Sequence, residues 1–196
     1  MKDLRHISLC NALYKIIAKV LENRFRPLMN KWISLKQAAF VHSRFITDNA
    51  LTAFEILHHM CYKHKGKTSD IALKFDISKA FDSVSWSYLE AILTKTWFSS
   101  QWVSWMLMCI TSIEYHVIFN GDRIGPINPE RGLSKGFPLS PYLYILCAKG
   151  LSSIIKSHEL RGKIHGARIY CTAPPVSHLQ IITLCSAKQL PLKLKV

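Results

Sequence analysis

The chain has 196 residues, of which 26 are Lys or Arg and 12 are Asp or Glu, so its formal charge at pH 7 is +14. This length suffices for one hydrophobic core, in one domain or in two subdomains that share a sheet. The positive charge favours a polyanionic partner, nucleic acid ahead of an anionic membrane, with a generic basic surface as the alternative. Lys or Arg interrupts every long apolar run, so the sequence predicts neither a membrane span nor a secretory signal.

The six cysteines are scattered and form no Cys-x-x-Cys pair. This pattern predicts reduced thiols in an intracellular chain, located in the nucleus or the cytoplasm. Cys61 and His64 have the spacing of zinc ligands. Because no second ligand pair lies nearby, a solvated helix end is favoured over a zinc site.

The first predicted element is an amphipathic helix from residue 7 to about residue 32, with Ser8 as its cap and Pro27 near its end. Apolar residues recur there at intervals of three and four, namely Leu9, Leu13, Ile16, Ile17, Val20, Leu21, Phe25 and Leu28. The polar face carries four cations, Lys15, Lys19, Arg24 and Arg26. They fit either an ordinary solvated stripe or a surface that follows a phosphate backbone.

A second helix is predicted from Asp48, as its cap, to about Lys63, with Ala50, Ala53, Phe54, Leu57 and Met60 facing inward. A basic connection over residues 63–70 leads into the central stretch, residues 71–84. There an apolar, β-prone run predicts a buried strand that delivers Asp76 at its end, and Ser78 has the position of a cap for a helix that begins at Lys79. A carboxylate between a strand and a tight turn suits a divalent ion and phosphate oxygens, although such an Asp is often only a turn former.

Three further elements are predicted. Residues 101–110 form a helix whose Trp and Met side chains are more typical of a core than of a base-stacking platform. Residues 115–123 alternate into Asn120-Gly121, which indicates a β-hairpin. Gly and Pro residues then fix a turn before a helix from Pro141 to about His158.

Four stretches resemble motifs of the reverse transcriptases of non-LTR (LINE-type) retrotransposons. Residues 75–84, FDISKAFDSV, resemble the first catalytic motif. Residues 5–21 and 37–49 resemble two motifs of the fingers region, with His6 in place of a proline in the first. Residues 129–144 resemble the third signature, RGLRQGDPLSPYLF, and the likeness extends over about residues 5–179.

The resemblance implies the roles of individual residues. Asp76 is expected to be catalytic and to ligate Mg²⁺, whereas Asp82 supports the site and is not counted as a ligand. Phe81 is expected to lie against the sugar 2′-hydroxyl, and Arg44 to face the incoming triphosphate. Two replacements alter the loop that aims this arginine: His42 and Ser43 stand where the family has Pro-Gly.

In the third signature, Lys135 and Gly136 are expected to face the nucleotide and the template, as is Arg5 in the opening motif. Three positions of the signature depart from the family pattern: Ser134 replaces Arg, Lys135 replaces Gln and Phe137 replaces Asp. Lys135 adds a charge where the family has an amide, which affects how a nucleotide is positioned.

The implied fold is α+β, with the fingers and an incomplete palm of a right-hand polymerase. It is expected to be mostly helical, with a small antiparallel sheet and no thumb. The fingers are assigned to residues 1–70 and 115–135, the partial palm to 71–114 and 136–179, and an aberrant tail to 180–196.

After residue 179 the family continues with a hairpin that bears Phe-Ala-Asp-Asp, but residues 180–196 contain no Asp or Glu. One choice of codons for residues 179–196 gives, in a neighbouring frame, Ala-Asp-Asn-Asn-Ser-Leu-Phe-Cys-Lys-Ala-Thr-Ala-Ser-Glu-Ala-Glu-Gly. That string is similar to the expected hairpin. We therefore hypothesise a frameshifted and truncated descendant of a retrotransposon polymerase.

Phosphoryl transfer to a primer uses two Mg²⁺ ions held by about two or three carboxylates, and Asp76 alone does not supply them. The first hypothesis is a reverse transcriptase domain fragment whose family activity, RNA-directed DNA polymerisation with RNA template, DNA primer and dNTP, is lost. One alternative is a non-catalytic basic module that binds nucleic acid. The other is a non-functional relic without a stable fold. No membrane and no obligate protein partner is indicated.

Overall fold

The structure is a computed structural model that describes residues 9–34, 37–38, 40–41, 43–62, 72 and 77–164. In chain order these residues form α1 (Ala12–Trp32), α2 (Ile46–Tyr62), α3 (Trp86–Lys95), α4 (Ser100–Thr111), β1 (Tyr115–Phe119), β2 (Asp122–Ile127) and α5 (Ser140–Leu160). The two strands form one antiparallel sheet. The predicted fold class, mostly helical with a small antiparallel sheet, is therefore confirmed.

The hydrophobic core lies between α1, α3, α4 and α5. Helix α3 packs against α4 and α5, and α1 packs against the same two helices. Phe25 of α1 is fully buried and stacks on Phe98, with 5.6 Å between the ring centroids. Leu89 and Leu93 of α3 are also fully buried, and removal of each such side chain from water contributes about 1.5–3 kcal/mol.

Helix α1 buries a different stripe from the one predicted. Its core-facing apolar residues are Ala18, Leu21, Phe25 and Met29, whereas Leu9, Leu13, Ile16, Ile17 and Val20 are exposed. The physical reason is that apolar residues occupy two sides of this helix, and only one side faces α4 and α5. The helix begins after Asn11, whose side chain accepts a hydrogen bond from the Tyr14 backbone N–H at 2.8 Å; the predicted cap Ser8 lies outside the described residues.

Helix α2 packs against none of the other described helices and strands. It begins at Ile46, so Asp48 lies in its first turn and is not its cap. Of the residues predicted to face inward, Phe54 is 59% exposed, whereas Ala50, Ala53, Leu57 and Met60 are partly buried. The helix was thus predicted correctly, but no packing partner for this face lies among the described helices and strands.

The hairpin agrees with its prediction. Asn120 and Gly121 both have positive φ, which is the backbone geometry of a two-residue turn that matches the twist of the strands. On either side of the turn, Phe119 pairs with Asp122 and Val117 pairs with Ile124. Because the turn residues impose this geometry locally, the sequence was sufficient to predict it.

Two further predicted helices are also confirmed, α4 at residues 100–111 and α5 at 140–160. In α4, Met106 is fully buried, whereas Trp105 and Met108 are exposed. Only some of the Met and Trp side chains of this helix therefore belong to the core. The predicted strands beyond residue 164 lie outside the described residues. No described helix has both the length and the apolar character needed to span a bilayer.

Candidate functional site

The segment between residue 77 and α3 is a compact turn and not the predicted helix. Lys79 has a positive φ, and its carbonyl accepts hydrogen bonds from the backbone N–H groups of Asp82, at 2.9 Å, and Ser83, at 3.1 Å. The chain then extends through Ser85, and α3 begins only at Trp86. A helix from Lys79 with Ser78 as its cap is therefore wrong, and the short turn over residues 78–83 holds Phe81 and Asp82.

A second segment, the loop over residues 132–136, docks on this turn through backbone hydrogen bonds. The Leu133 N–H donates to the Phe81 carbonyl and the Gly132 N–H donates to the Val84 carbonyl, both at 2.8 Å. The Gly132 carbonyl in turn accepts from the indole N–H of Trp86 at 2.8 Å. These bonds explain why the turn does not continue as a helix, because its carbonyls are used by a segment about fifty residues further along the chain.

Gly132 is required where the loop meets the turn. Its φ is +96°, a conformation that residues with a side chain rarely adopt. A Cβ at this position would also lie 3.1 Å from both the Cα and the carbonyl oxygen of Asp82. Only a residue without a side chain allows the two backbones to approach this closely.

An ion pair joins the same two segments through their side chains. The ammonium group of Lys135 lies 3.0 Å from Oδ2 of Asp82, and both side chains are 28% exposed. A partly exposed pair of this kind contributes about 0–1 kcal/mol to stability. Asp82 therefore directs a carboxylate oxygen at a lysine of the loop. That it is not a metal ligand stays a prediction.

The Phe81 side chain is held on its other side by α5. Its ring stacks on Tyr144, with 5.0 Å between the centroids and 19° between the planes. The ring is half-buried, so part of its surface remains accessible. The backbone of Phe81 is thus fixed by the loop and its ring is fixed by a helix of the core.

The 132–136 loop is anchored where it enters α5. The hydroxyl of Ser140, which is buried, donates to the Ser134 carbonyl at 2.7 Å. The ring of Phe137 stacks on Tyr14 of α1 at 4.9 Å. Burial raises the pKa of the Tyr14 hydroxyl well above its usual 10.0, so this side chain remains neutral beneath the loop. Gly136, which has a positive φ, is exposed between these two anchors.

Arg44 lies in a different environment, in the connection between α1 and α2. Its guanidinium donates to the backbone carbonyls of Ile33, Ser34 and Gln37, the last at 2.7 Å. This side chain thus closes the connection by satisfying carbonyls that follow the C-terminal end of α1. That it faces a triphosphate stays a prediction.

Comparison with known proteins shows the family to which this chain belongs. Residues 1–172 match the family described as reverse transcriptase (RNA-dependent DNA polymerase). The chain belongs to this family. The reverse transcriptase resemblance in the sequence is thereby confirmed, and the helical structure with its small sheet agrees with a partial reverse transcriptase fold.

Three curated relatives place the chain more closely. It is 30% identical over 156 residues to an uncharacterized 149 kDa protein of transposon TX1 from Xenopus laevis, which covers 80% of this chain and 12% of that protein. It is 27% identical over 166 residues to the Pol polyprotein of a type-2 retrotransposable element of Drosophila melanogaster, covering 85% of this chain and 15% of that one. An uncharacterized mitochondrial protein of Arabidopsis thaliana is 40% identical over 76 residues, 38% of this chain and 62% of its own length.

These relatives support a reverse transcriptase domain of the non-LTR retrotransposon type. The chain spans less than two thirds of the length of each of them, and about an eighth of the transposon TX1 protein. Reverse transcriptase domains generally use divalent metal ions and bind a nucleic-acid template and primer. Which of these properties this chain retains depends on its own residues.

The residue that was predicted to bind a metal falls outside the described structure. Asp76, the predicted Mg²⁺ ligand, and Arg5, predicted to face the nucleotide, are not among the described residues. Within the described residues, no group of three or more His, Cys, Asp or Glu side chains is placed to hold a metal ion. The described residues therefore do not by themselves fit a divalent ion.

The structure brings together three of the predicted site residues and adds others that sequence reasoning missed. Phe81 and Lys135 belong to the docked turn and loop, with Gly136 next to Lys135. Gly132 and Tyr144 were not singled out, although both stand inside the segment that resembles the third signature. The sequence indicated Gly132 only by its place beside Arg131 in that segment. Its contact with Asp82 could not be predicted from local sequence, because the two residues lie far apart in the chain.

Proposed function

We propose that this chain is the nucleotide-binding and template-binding part of a non-LTR retrotransposon reverse transcriptase, and that it does not complete RNA-directed DNA synthesis. The observation that carries the proposal is the docking of the 132–136 loop on the 78–83 turn. This docking joins Phe81 and Lys135, which the resemblance assigns to the nucleotide, in one hydrogen-bonded unit. The family match over residues 1–172 gives the unit its context.

The ligands we propose are an RNA template, a DNA primer and a dNTP. The net charge of +14 supports a polyanionic partner. On α1, Lys15, Lys19, Arg24 and Arg26 are exposed, and Lys19 also pairs with Glu22 at 2.6 Å. In the arrangement that we propose, α1 belongs to the fingers, together with the rest of residues 1–70 and with residues 115–135, and the exposed cations lie along the template backbone. The partial palm comprises residues 71–114 and 136–179.

We further propose that Asp76 supplies one ligand to Mg²⁺ and that the set of ligands remains incomplete. Two-metal phosphoryl transfer draws on several carboxylates, because each ion bridges reacting oxygens and needs its own negative ligands. The residues that follow position 179 in this chain, 180–196, contain no Asp or Glu. One carboxylate does not supply the charge that the chemistry needs, so we expect binding without incorporation.

The test combines a binding measurement with a primer-extension assay. The chain is titrated against a fluorescent DNA primer annealed to an RNA template at several salt concentrations, and is then supplied with Mg²⁺ and all four dNTPs. We expect an affinity that falls steeply with salt, because binding releases counterions from the phosphates. We also expect no extension above the level of the Asp76→Asn variant.

Two results would contradict the proposal at different points. Extension by the wild-type chain that Asp76→Asn abolishes would show that catalysis is retained, and the proposed loss of activity would be wrong. If the chain does not bind the primer and template, or if its affinity for them does not change with salt, the proposed nucleic-acid partner is wrong.

A basic nucleic-acid-binding module without a nucleotide site is the second candidate, and the exposed cations of α1 favour it. It predicts the same salt dependence. It differs in predicting that a dNTP complementary to the template does not slow the dissociation of the primer and template. The nucleotide-binding proposal predicts slower dissociation with that dNTP and no effect of a mismatched one.

A further inference from the structure

We propose that the ion pair between Lys135 and Asp82 is a positioning device, which sets the place of Phe81 and thereby the preference of this chain for deoxyribonucleotides over ribonucleotides. The inference rests on the proposed function, because it needs a nucleotide beside Phe81. It assigns a purpose to Lys135, where the resemblance leads one to expect a glutamine. Neither Lys135 nor Asp82 is proposed to touch the nucleotide sugar.

Phe81 and Asp82 are adjacent in a turn that has little structure of its own. One carbonyl, that of Lys79, accepts both backbone bonds inside the turn, and α3 does not begin until Trp86. A turn of this kind is held in place mainly by what docks on it. The partner is the loop that carries Lys135.

Each contact between the turn and the loop fixes a different part of the turn. The bonds from the N–H groups of Leu133 and Gly132 fix the backbone on either side of Asp82. The Lys135 ammonium, 3.0 Å from the Asp82 carboxylate, is the contact that reaches the turn from the far end of the loop. Since Asp82 directly follows Phe81, a shift of Asp82 changes the direction in which the Phe81 Cα–Cβ bond points.

A change in the direction of the Phe81 side chain matters for the exclusion of a hydroxyl. The ring lies against Tyr144, with the planes 19° from parallel, so it has one packed face and an accessible remainder. A side chain that excludes a hydroxyl must be placed closely, since a misplacement of about 1 Å can cost about a hundredfold in a reaction that depends on alignment. An ion pair that holds the neighbouring residue is well placed to limit such movement.

Single substitutions separate this role from a direct contact between Lys135 and phosphate. Lys135→Met and Asp82→Asn change the charge of the site in opposite directions, but both remove the ion pair. A phosphate contact predicts that Lys135→Met weakens the binding of dNTP and rNTP alike, and that Asp82→Asn does not, because it leaves the ammonium free. Positioning predicts that both variants lower the ratio of dNTP affinity to rNTP affinity.

The experiment measures the affinities of one dNTP and of the matching rNTP for the complex of the chain with Mg²⁺, RNA template and a chain-terminated DNA primer. We expect the wild type to prefer the dNTP, and each single variant to lose about fivefold of that preference, the effect of one partly exposed pair. The charge-exchange variant, Asp82→Lys with Lys135→Asp, should regain it. Lys135→Arg, which keeps the pair, should retain it. Lys135→Gln, which also removes the pair, replaces Lys135→Met if that variant does not fold.

The outcomes distinguish this inference from the proposed function. If the wild type binds neither nucleotide, the proposed function fails and the inference fails with it. If the wild type prefers the dNTP and the two single variants keep the same ratio, the inference is wrong while the proposed function stands. Equal affinity of the wild type for dNTP and rNTP, or a charge-exchange variant that folds without regaining the ratio, would also overturn the inference.

Discussion

Replacement of Gly132 by alanine tests whether the docking of the 132–136 loop on the turn holds the fold together. Two costs arise from the structure. The φ of +96° is strained for a residue with a Cβ, at about 1–3 kcal/mol, and the new methyl group would lie 3.1 Å from the backbone of Asp82. Because that backbone is itself fixed by hydrogen bonds, the contact adds about 1–3 kcal/mol. We therefore expect Gly132→Ala to lower the free energy of unfolding by about 2–6 kcal/mol.

Gly162→Ala is the matched control, since Gly162 also has a positive φ, +68°, but a Cβ there would meet nothing within 4 Å. It should cost only the backbone strain, about 1–2 kcal/mol. Urea denaturation followed by circular dichroism measures both variants against the wild type. If Gly132→Ala costs no more than Gly162→Ala, the close approach to Asp82 is not important for stability. A wild-type chain with no cooperative transition would favour the hypothesis of an unstable relic.

Three further predictions concern other parts of the chain. The buried Glu22 accepts a hydrogen bond from the Tyr142 hydroxyl at 3.2 Å. In urea denaturation, Glu22→Ala should lower the free energy of unfolding by about 1–3 kcal/mol, and Glu22→Gln, which keeps an acceptor, should lower it clearly less. Equal losses in the two variants would contradict this prediction. Burial raises the pKa of the Cys147 thiol from 9.0 to about 12. The free energy of unfolding should therefore keep its full value below pH 9 and fall as the pH rises towards 12, and it should fall less in Cys147→Ala. Iodoacetamide should modify the exposed Cys61 of the native chain before it modifies the buried Cys147. The DNA that encodes the residues after Leu179 should contain, in another frame, codons for an acidic Ala-Asp hairpin, and sequencing that finds none would remove the frameshift hypothesis.

The elements that the sequence predicted well are those with local causes. Asn120-Gly121 determines the hairpin turn through its own backbone preferences, and the proline at position 141 starts α5 without help from distant segments. Helix α1 shows the limit of such reasoning. Its apolar residues lie on two sides, and the sequence does not say which side meets α4 and α5, so Leu13 was predicted to be inside and is exposed.

The start of α3 was mispredicted because a distant segment decides it. Residues 79–84 carry apolar side chains at helical spacing, which is why a helix was expected from Lys79. In the structure, the carbonyls of Phe81 and Val84 accept hydrogen bonds from Leu133 and Gly132, so they are not used in a helix. A contact between residues so far apart in sequence competes with local preference, and sequence periodicity contains no information about it.

The candidate site could be predicted only as far as the resemblance reached. It named Phe81, Lys135 and Gly136, and the structure joins the first two through the turn and the loop. The partner of Lys135 could not be predicted from periodicity, because Asp82 lies 53 positions earlier. Asp76 and Arg5 remain predictions, since they lie outside the described residues.

The three departures from the family signature differ in how the structure accommodates them. Lys135 places a charge at a half-buried position, which would be costly without a partner, but Asp82 lies 3.0 Å away. Phe137 is apolar where the family has an acid, and it is buried against Tyr14. The hydroxyl of Ser134, by contrast, is buried and has no hydrogen-bond partner among the described residues, at a cost of about 1–3 kcal/mol. Two of the three replacements thus make contacts that attach the loop to its surroundings. Departure from the signature therefore does not by itself imply loss of the loop conformation or of the position of Phe81.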